Sequence, residues 1–250
     1  MLRVQVSEVE RMTPSITKYQ LRALDGAPLP EWRAGAHINI VVAPEYLRQF
    51  SLSGDPADRS LYEIAVLRED SGRGGSALLH RIFSEGRKIF ISKPINHFEL
   101  DESASKSFLM AGGIGVTPMI AFAHRLHALG KDFELHYSAR SESNAGYLQP
   151  LRQAPWVDQV IYHFSDQGTR ADLNQLLKGY QPGWHLYTCG PETYITAVTD
   201  AATHQGFPEE ACHLEYFAVP EQPDFESHPF KLKLARSGQI LEIPADKTAT

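Results

Sequence analysis

The chain has 250 residues, 42% hydrophobic and 22% charged, a balance that excludes disordered, collagen-like and disulfide-framework classes and suits two ordinary globular domains. Lys and Arg total 24 against 30 Asp and Glu, and the formal charge of -6 gives no general attraction to nucleic acid or anionic lipid. Two cysteines, Cys189 and Cys212, are too few for a structural zinc and point to a reducing, cytoplasmic compartment, and no stretch approaches the ~20 apolar residues of a membrane span.

Up to about Leu100 the pattern is short alternating runs: Val4 to Val6, Thr17 to Leu21, His37 to Val42, Phe50 to Ser53, Tyr62 to Leu67 and Lys88 to Ile91. Gly, Pro, Asp and Ser separate them, and only Ser76 to Phe83 has helical character, so a six-stranded antiparallel Greek-key barrel is expected over 1–100. From Ser107 the rhythm changes. Phe108 to Met110, Phe133 to Tyr137, Val157 to Phe164, Trp184 to Thr188 and His213 to Phe217 read as strands, with helices at Pro118 to Leu129 and Glu192 to His204. Strands alternating with helices over 101–217 predict a five-stranded parallel sheet, doubly wound, with helices on both faces. Val219 to Pro229 is rich in proline and acid and reads as a linker. Phe230, Leu232 and Leu234, a Ser237-Gly238 turn and Ile240 to Ile243 then form a hairpin, which alone is marginal in water.

Gly112-Gly113-Ile114-Gly115-Val116-Thr117-Pro118 lies between an apolar strand and a helix. Glycines let backbone approach a ligand and the helix start offers free N–H groups to a phosphate, with Pro118 suiting a first helical position. The third glycine of the dinucleotide fingerprint is missing, as is the acidic residue after the next strand, so a tight strand-to-helix turn competes evenly with nucleotide binding. Ser71-Gly72-Arg73-Gly74-Gly75-Ser76 opens the barrel's helix and combines amides, a hydroxyl and a guanidinium, although a plain glycine loop has the same look. Alternation in Arg48-Gln49-Phe50-Ser51-Leu52-Ser53 places Arg48, Phe50 and Leu52 on one face and Ser51 and Ser53 on the other. Cys189-Gly190-Pro191-Glu192 again joins a strand end to a helix start, where a small buried thiol is the plainer reading. Neither a metal-binding HExxH nor a Gly-x-Ser-x-Gly elbow occurs, and His124 and His127 read as solvated or capping side chains.

Taken in order with Pro94 to Phe98 and Glu215-Tyr216-Phe217, these motifs resemble the phthalate dioxygenase reductase family, which includes vanillate demethylase reductases, across essentially the whole chain. The resemblance implies an FMN barrel over 1–100, an NADH-binding domain over 101–217, and a ferredoxin domain carrying [2Fe-2S] that feeds a Rieske oxygenase. Carried over, Arg48 and the loop of Gly72, Arg73, Gly74, Gly75 and Ser76 would hold the FMN phosphate. Gln49, Phe50 and Ser51 would meet the ring, with Ser51 near N5, and Ala65, Val66 and Leu67 would line the flavin. Phe217 would pack beside it, and Thr117 would touch both cofactors. Gly112, Gly113, Gly115 and Pro118 would receive the dinucleotide, Arg140 and Ser141 its adenosine ribose, and Cys189, Gly190 and Pro191 the nicotinamide. Ser51, Cys189 and Thr117 are the residues expected nearest to hydride transfer. Position 50 is Phe where the family usually has Tyr, which keeps a stacking face without the phenol. The family's four-cysteine motif does not follow the hairpin, so 218–250 reads as a linker and the first hairpin of a truncated ferredoxin-like domain. A stand-alone flavin reductase or diaphorase and a non-catalytic flavin-binding regulatory module are the alternatives.

Overall fold

The computed structural model describes residues 1–43, 46–69, 74–217, 229–233 and 239–244. Residues Met1–Phe217 form one compact unit and Ala218–Thr250 a second.

The first unit opens with strands β1 (Leu2–Arg11), β2 (Ile16–Ala23), β3 (Ala36–Ala43), β4 (Tyr46–Ser51) and β5 (Tyr62–Leu67), then helix α1 (Gly75–Ile82), and strands β6 (Lys88–Ile91) and β7 (Ile95–Asn96). Hydrogen bonding runs in the order β4-β3-β6-β1-β2-β5, and the two-residue β7 adds to β3. The Ser53 N–H donates to the Glu63 carbonyl at 3.0 Å, joining the end of β4 to β5, so the six expected strands nearly close into a barrel. Alternation does the rest: Ile38 and Ile40 of β3 and Ile64 of β5 are buried. β1 is much longer than Val4 to Val6, because a bulge between Val6 and Glu8 lets it continue along β2 as far as Arg11.

There follow β8 (Lys106–Gly112), α2 (Val116–Ala128), β9 (Asp132–Ala139), α3 (Leu148–Arg152), β10 (Val160–Phe164), α4 (Leu173–Leu176), β11 (Trp184–Cys189), α5 (Glu192–His204) and β12 (Cys212–Glu215). All five strands are parallel, in the order β10-β9-β8-β11-β12, so the chain reverses its winding direction between β8 and β11. Leu109, Ala111, Tyr187 and Cys189 pack on the α2 face in one core with the barrel. Phe108, Met110 and Leu186 pack on the other face, with Leu173 and Leu176 of α4 and Val198 and Ala201 of α5. Both faces are covered, as a doubly wound sheet requires.

Two sequence expectations shift. Pro118 is the third residue of α2, not the first, because a turn of 3-10 helix over Gly113–Gly115 runs directly into Val116. It is still in the first turn, where its N–H would have no helical acceptor. Val157–Gln159 is likewise a 3-10 turn ahead of β10, and β12 ends at Glu215.

Glycine is obligatory where the strand ends meet. A Cβ on Gly115 would collide with the carbonyl of Cys189, and one on Gly190, whose φ is 157°, would stand 2.9 Å from the Gly112 Cα. A third close approach ties the barrel to its neighbour: Gly35, at φ 88°, leaves room for the Phe98 carbonyl. Phe98 itself packs on Phe122 of α2 and Tyr187 of β11, with ring centroids 5.1 and 6.0 Å away.

The second unit contains strands β13 (Phe230–Lys233) and β14 (Ile240–Ile243), antiparallel with Phe230 opposite Ile243. Lys231 and Glu242 form an ion pair at 3.0 Å across it. The Ser237-Gly238 turn and most of the expected linker lie outside the described residues.

Gly115→Ala is expected to lower stability by about 1–3 kcal/mol, since the colliding atom is backbone and cannot rotate away. Urea unfolding followed by circular dichroism checks this, and an unchanged midpoint would contradict the close-approach reading.

Candidate functional site

A cavity of about 430 Å³ lies where β4 and β5 of the barrel meet the start of α2 and the residues after β12. Arg48 stands at one end, its guanidinium beside Gly75 at the first turn of α1 and 5.0 Å from the Tyr46 ring. Any side chain at position 75 would strike that guanidinium, so glycine is what lets the arginine lie on the helix start. Gly74 caps the helix in the left-handed conformation at φ 78°, and the first turn has no acidic residue. A guanidinium and free helix N–H groups together favour an anion. Ser76 lines the same wall, its Oγ accepting from the Glu69 N–H at 3.1 Å.

Ser51 and Glu215 stand together on the same cavity wall. The Ser51 hydroxyl donates to Glu215 Oε2 at 3.2 Å, bridging 164 positions of sequence between β4 and β12. Burial lifts the Glu215 carboxyl to about 7, against the lowering effect of that hydroxyl. Thr117 is buried, with its hydroxyl donating to the Ile114 carbonyl at 3.1 Å, and both residues line the cavity. Tyr216 and Phe217 lie at the rim, 41% and 46% exposed, leaving aromatic surface open to a planar ligand.

Arg48, Gln49, Phe50 and Ser51 all line this one cavity, although strict alternation sends Ser51 to the opposite face from Arg48 and Phe50. Leu52 instead is core, and Ser53 turns to the Tyr147 hydroxyl at 2.6 Å. Ala65 and Leu67 line the cavity; Val66 between them is buried in the core, and its carbonyl meets His80 Nε2 at 2.9 Å. Gly72 and Arg73 lie outside the described residues.

A second cavity, of about 590 Å³, opens at the reversal point of the parallel sheet and is walled by Gly112, Gly113, Arg140, His163, Pro191 and Tyr194, among others. Residues 112–117 therefore wall both cavities, the glycines on one side and Ile114 and Thr117 on the other. Arg170 joins Arg140 there, and among the described residues no carboxylate lines this cavity. Ser141 does not line it; its hydroxyl bonds the Asn144 amide oxygen at 2.6 Å. Pro118 is buried in α2. The Cys189 side chain is fully buried and lines neither cavity, and burial, reinforced by Glu215, raises its thiol well above the ordinary value. Cys189 thus stands behind the wall as a protonated thiol.

One wall of the second cavity is backed by a hydrogen-bonded relay that ends on His163. His136 Nε2 meets Glu134 Oε2 at 3.1 Å, His136 Nδ1 meets His163 Nε2 at 3.1 Å, and His163 Nδ1 meets the Thr169 carbonyl at 3.2 Å. His163 lines the cavity, and burial, with the neighbouring His136, holds its pKa below the usual imidazole value. Bonds from His136 and Lys106 hold the Glu134 carboxyl down at about 2.

Sequence reasoning gives no role to His37, His97 and Glu69 in the first cavity or to His163, Arg170 and Tyr194 in the second. His97 and Glu215 stood inside motifs already singled out, whereas His37 and Arg170 carry no local signal.

A reductase subunit of tert-butanol monooxygenase / tert-amyl alcohol desaturase from Aquincola tertiaricarbonis is 40% identical over 262 residues, covering 99% of this chain and 77% of the relative. A vanillate O-demethylase oxidoreductase from Pseudomonas sp. (strain HR199 / DSM 7063) is 36% identical over 252 residues, covering 100% and 80%. The solved structure of phthalate dioxygenase reductase, described as modular for electron transfer from pyridine nucleotides to [2Fe-2S], matches with TM-score 0.82 and 34% identity over 98% of this chain and 77% of that one. This chain belongs to the phthalate dioxygenase reductase family. Residues 89–212 of the reductase also match the model of the dimethylamine monooxygenase subunit DmmA-like N-terminal domain. The relatives are reductase components of oxygenase systems, and the reductase described here is an oxidoreductase of that kind. Among its described residues no helix is long and apolar enough to cross a membrane.

The Glu215 carboxyl gives the reductase a pH signature. Its folded-state value of about 7 lies above the ordinary 4.5, so its contribution to stability is complete below pH 4.5 and is lost as pH rises towards 7. Glu215→Gln should therefore be more stable than the parent above pH 7, with the gap closing as pH falls to 5. Thermal melts across that range check it, and a gap independent of pH would assign the effect to something other than this ionisation.

Proposed function

We propose that the reductase holds FMN in the first cavity and NADH in the second, and delivers electrons singly to a [2Fe-2S] centre that feeds a Rieske oxygenase. The observation that carries this reading is the shared 112–117 wall: one short turn borders an anion-favouring cavity on the barrel side and a glycine-walled, basic cavity at the sheet's reversal point. In this reading 1–100 is the flavin-binding domain, 101–217 the nucleotide-binding domain and 218–250 the approach to a ferredoxin-like domain. Two cysteines cannot supply four thiolates, so the cluster belongs to residues or a partner outside the 250. The unpaired cysteines fit a cytoplasmic setting.

The residues present suit both groups. Arg48 and the start of α1 provide for a terminal phosphate, with Gly74, Gly75 and Ser76, and with Gly72 and Arg73 expected beside them. Phe50, Ala65, Leu67 and Phe217 provide apolar surface for a flat ring, with Gln49 and Ser51 as polar neighbours. Gly112 and Gly113 would receive the dinucleotide, Arg140 its adenosine half and Pro191 its nicotinamide, all four lining the second cavity. Gly115 and Gly190 serve by letting the two strand ends approach. Bound FMN would supply the chemistry that links a two-electron donor to a one-electron acceptor.

Alignment is the work left to the protein. Ser51, fixed by Glu215, and Thr117, fixed by Ile114, are hydroxyls that line the first cavity, Thr117 from the turn it shares with the second. Cys189 acts from behind, its backbone carbonyl fixing the close approach at Gly115 while its thiol stays in the core. Glu215, at about 7, is half-protonated near neutral pH and holds the Ser51 hydroxyl in place through their hydrogen bond.

The purified chain should be yellow, release FMN and bleach anaerobically with NADH. Release of FAD would change the cofactor, faster bleaching with NADPH would change the coenzyme, and slow or absent bleaching would favour a flavin sensor. Arg48→Gln should weaken FMN binding by roughly 10- to 100-fold, read by flavin fluorescence; an unchanged affinity removes Arg48 from the phosphate site.

A further inference from the structure

His37 is 93% buried by its 7% relative exposure, lies on β3 and lines the first cavity, yet no described residue hydrogen-bonds either ring nitrogen. Its Nε2 is sealed from solvent and cavity alike without a described partner, which leaves Nδ1 as the ring nitrogen that reaches the cavity. Six other described side chains have such an orphaned atom, among them Trp32, Ser107 and Tyr194, but none of those six lines this cavity. A buried polar atom left unpaired is costly, and a purely structural residue here would sooner be apolar. Burial and the neighbouring His97, whose ring centroid is 5.7 Å away, lower the His37 pKa, so near neutral pH the ring is uncharged with one N–H donor and one bare acceptor.

The position of His37 separates it from the phosphate anchor. In the β3–β4 register His37 is opposite Ser51, and Arg48 is opposite Ile40, three residues further along β3. His37 therefore belongs with the Ser51 and Glu215 end of the cavity, not with Arg48 and α1. On its other side the backbone pairs with Ile95 of β7, just before His97 and Phe98, which line the same cavity.

We infer that His37 anchors the isoalloxazine ring of the flavin by a hydrogen bond, independently of the phosphate anchor at Arg48. This rests on the flavin reading of the cavity. The ligand chemistry is that of a flat heterocycle with alternating carbonyls and ring nitrogens, which can satisfy a neutral imidazole as either donor or acceptor. His37 is then a positioning residue: it fixes the ring, and Ser51 across the strand pair benefits from that placement.

The test uses the full chain freed of flavin and titrated with lumiflavin, which has the ring alone, with riboflavin and with FMN, read by quenching of flavin fluorescence. His37→Phe keeps the bulk and removes the hydrogen bond; it should weaken all three ligands by the same roughly 3- to 10-fold. His37→Gln should recover most of that loss. Arg48→Gln should weaken FMN alone, leaving lumiflavin and riboflavin unchanged. Unaltered lumiflavin binding in His37→Phe overturns the ring anchor, as does an equal loss in His37→Phe and His37→Gln, since then shape and not hydrogen bonding is what matters. A loss confined to riboflavin and FMN overturns it too, moving the contact to the ribityl chain. A parent chain that binds none of the three sinks the flavin reading itself, an outcome distinct from each of these.

Discussion

The structure depends on one backbone contact, the meeting of Gly115 with the Cys189 carbonyl and of Gly190 with Gly112 at the ends of β8 and β11. These two strands are neighbours in the sheet but belong to opposite windings of the chain, so both following helices start here, one on each face. Closing that gap brings Thr117 to the barrel side and leaves Gly112 and Gly113 open on the other. A single methyl at Gly115 would part the strand ends, and the wall between the two cavities would move with them.

Contacts across the barrel and the parallel sheet then hold the first cavity in shape. Gly35 admits the Phe98 carbonyl, Phe98 packs on Phe122 and Tyr187, and Ser53 bonds the fully buried Tyr147, which itself is held at φ 64°. The two sheets share one hydrophobic core through these residues. This rigidity suits a protein whose task is alignment, because hydride transfer falls steeply when reacting atoms move from near-attack distance. Charge is distributed with the same economy. Arg48 favours an anion at one end of the first cavity, while Ser51 and a carboxyl lifted to about 7 occupy the other. The second cavity is lined by the cations Arg140 and Arg170, with His163 beside them.

Most of the fold was legible because its signals are local. Period-two runs marked the barrel strands, the change of rhythm after Ser107 marked the parallel sheet, and glycine pairs at strand ends marked the turns. Boundaries drifted where hydrogen bonding decided them, as at the β1 bulge and the 3-10 turn before α2. The ordered motifs also led to the right family, and most of the residues they singled out line one of the two cavities. Val66, Gly74, Gly115, Pro118, Ser141, Cys189 and Gly190 do not: sequence adjacency cannot say which member of a motif faces a cavity and which serves the core or the turn.

By itself, then, the amino-acid order determined the two sheets, the turns that join them and the family, since each follows from periodicity, turn chemistry or motif order along the chain. Only the tertiary structure decided that Ser51 bonds Glu215 across 164 residues, that His37 has no partner among the described residues, and that His136 and His163 stand in line between Glu134 and the Thr169 carbonyl. Burial and pairing of this kind are properties of surroundings assembled from distant segments. A histidine or glutamate carries the same ring or carboxyl wherever it stands in the sequence; its charge state is set by what folding packs around it.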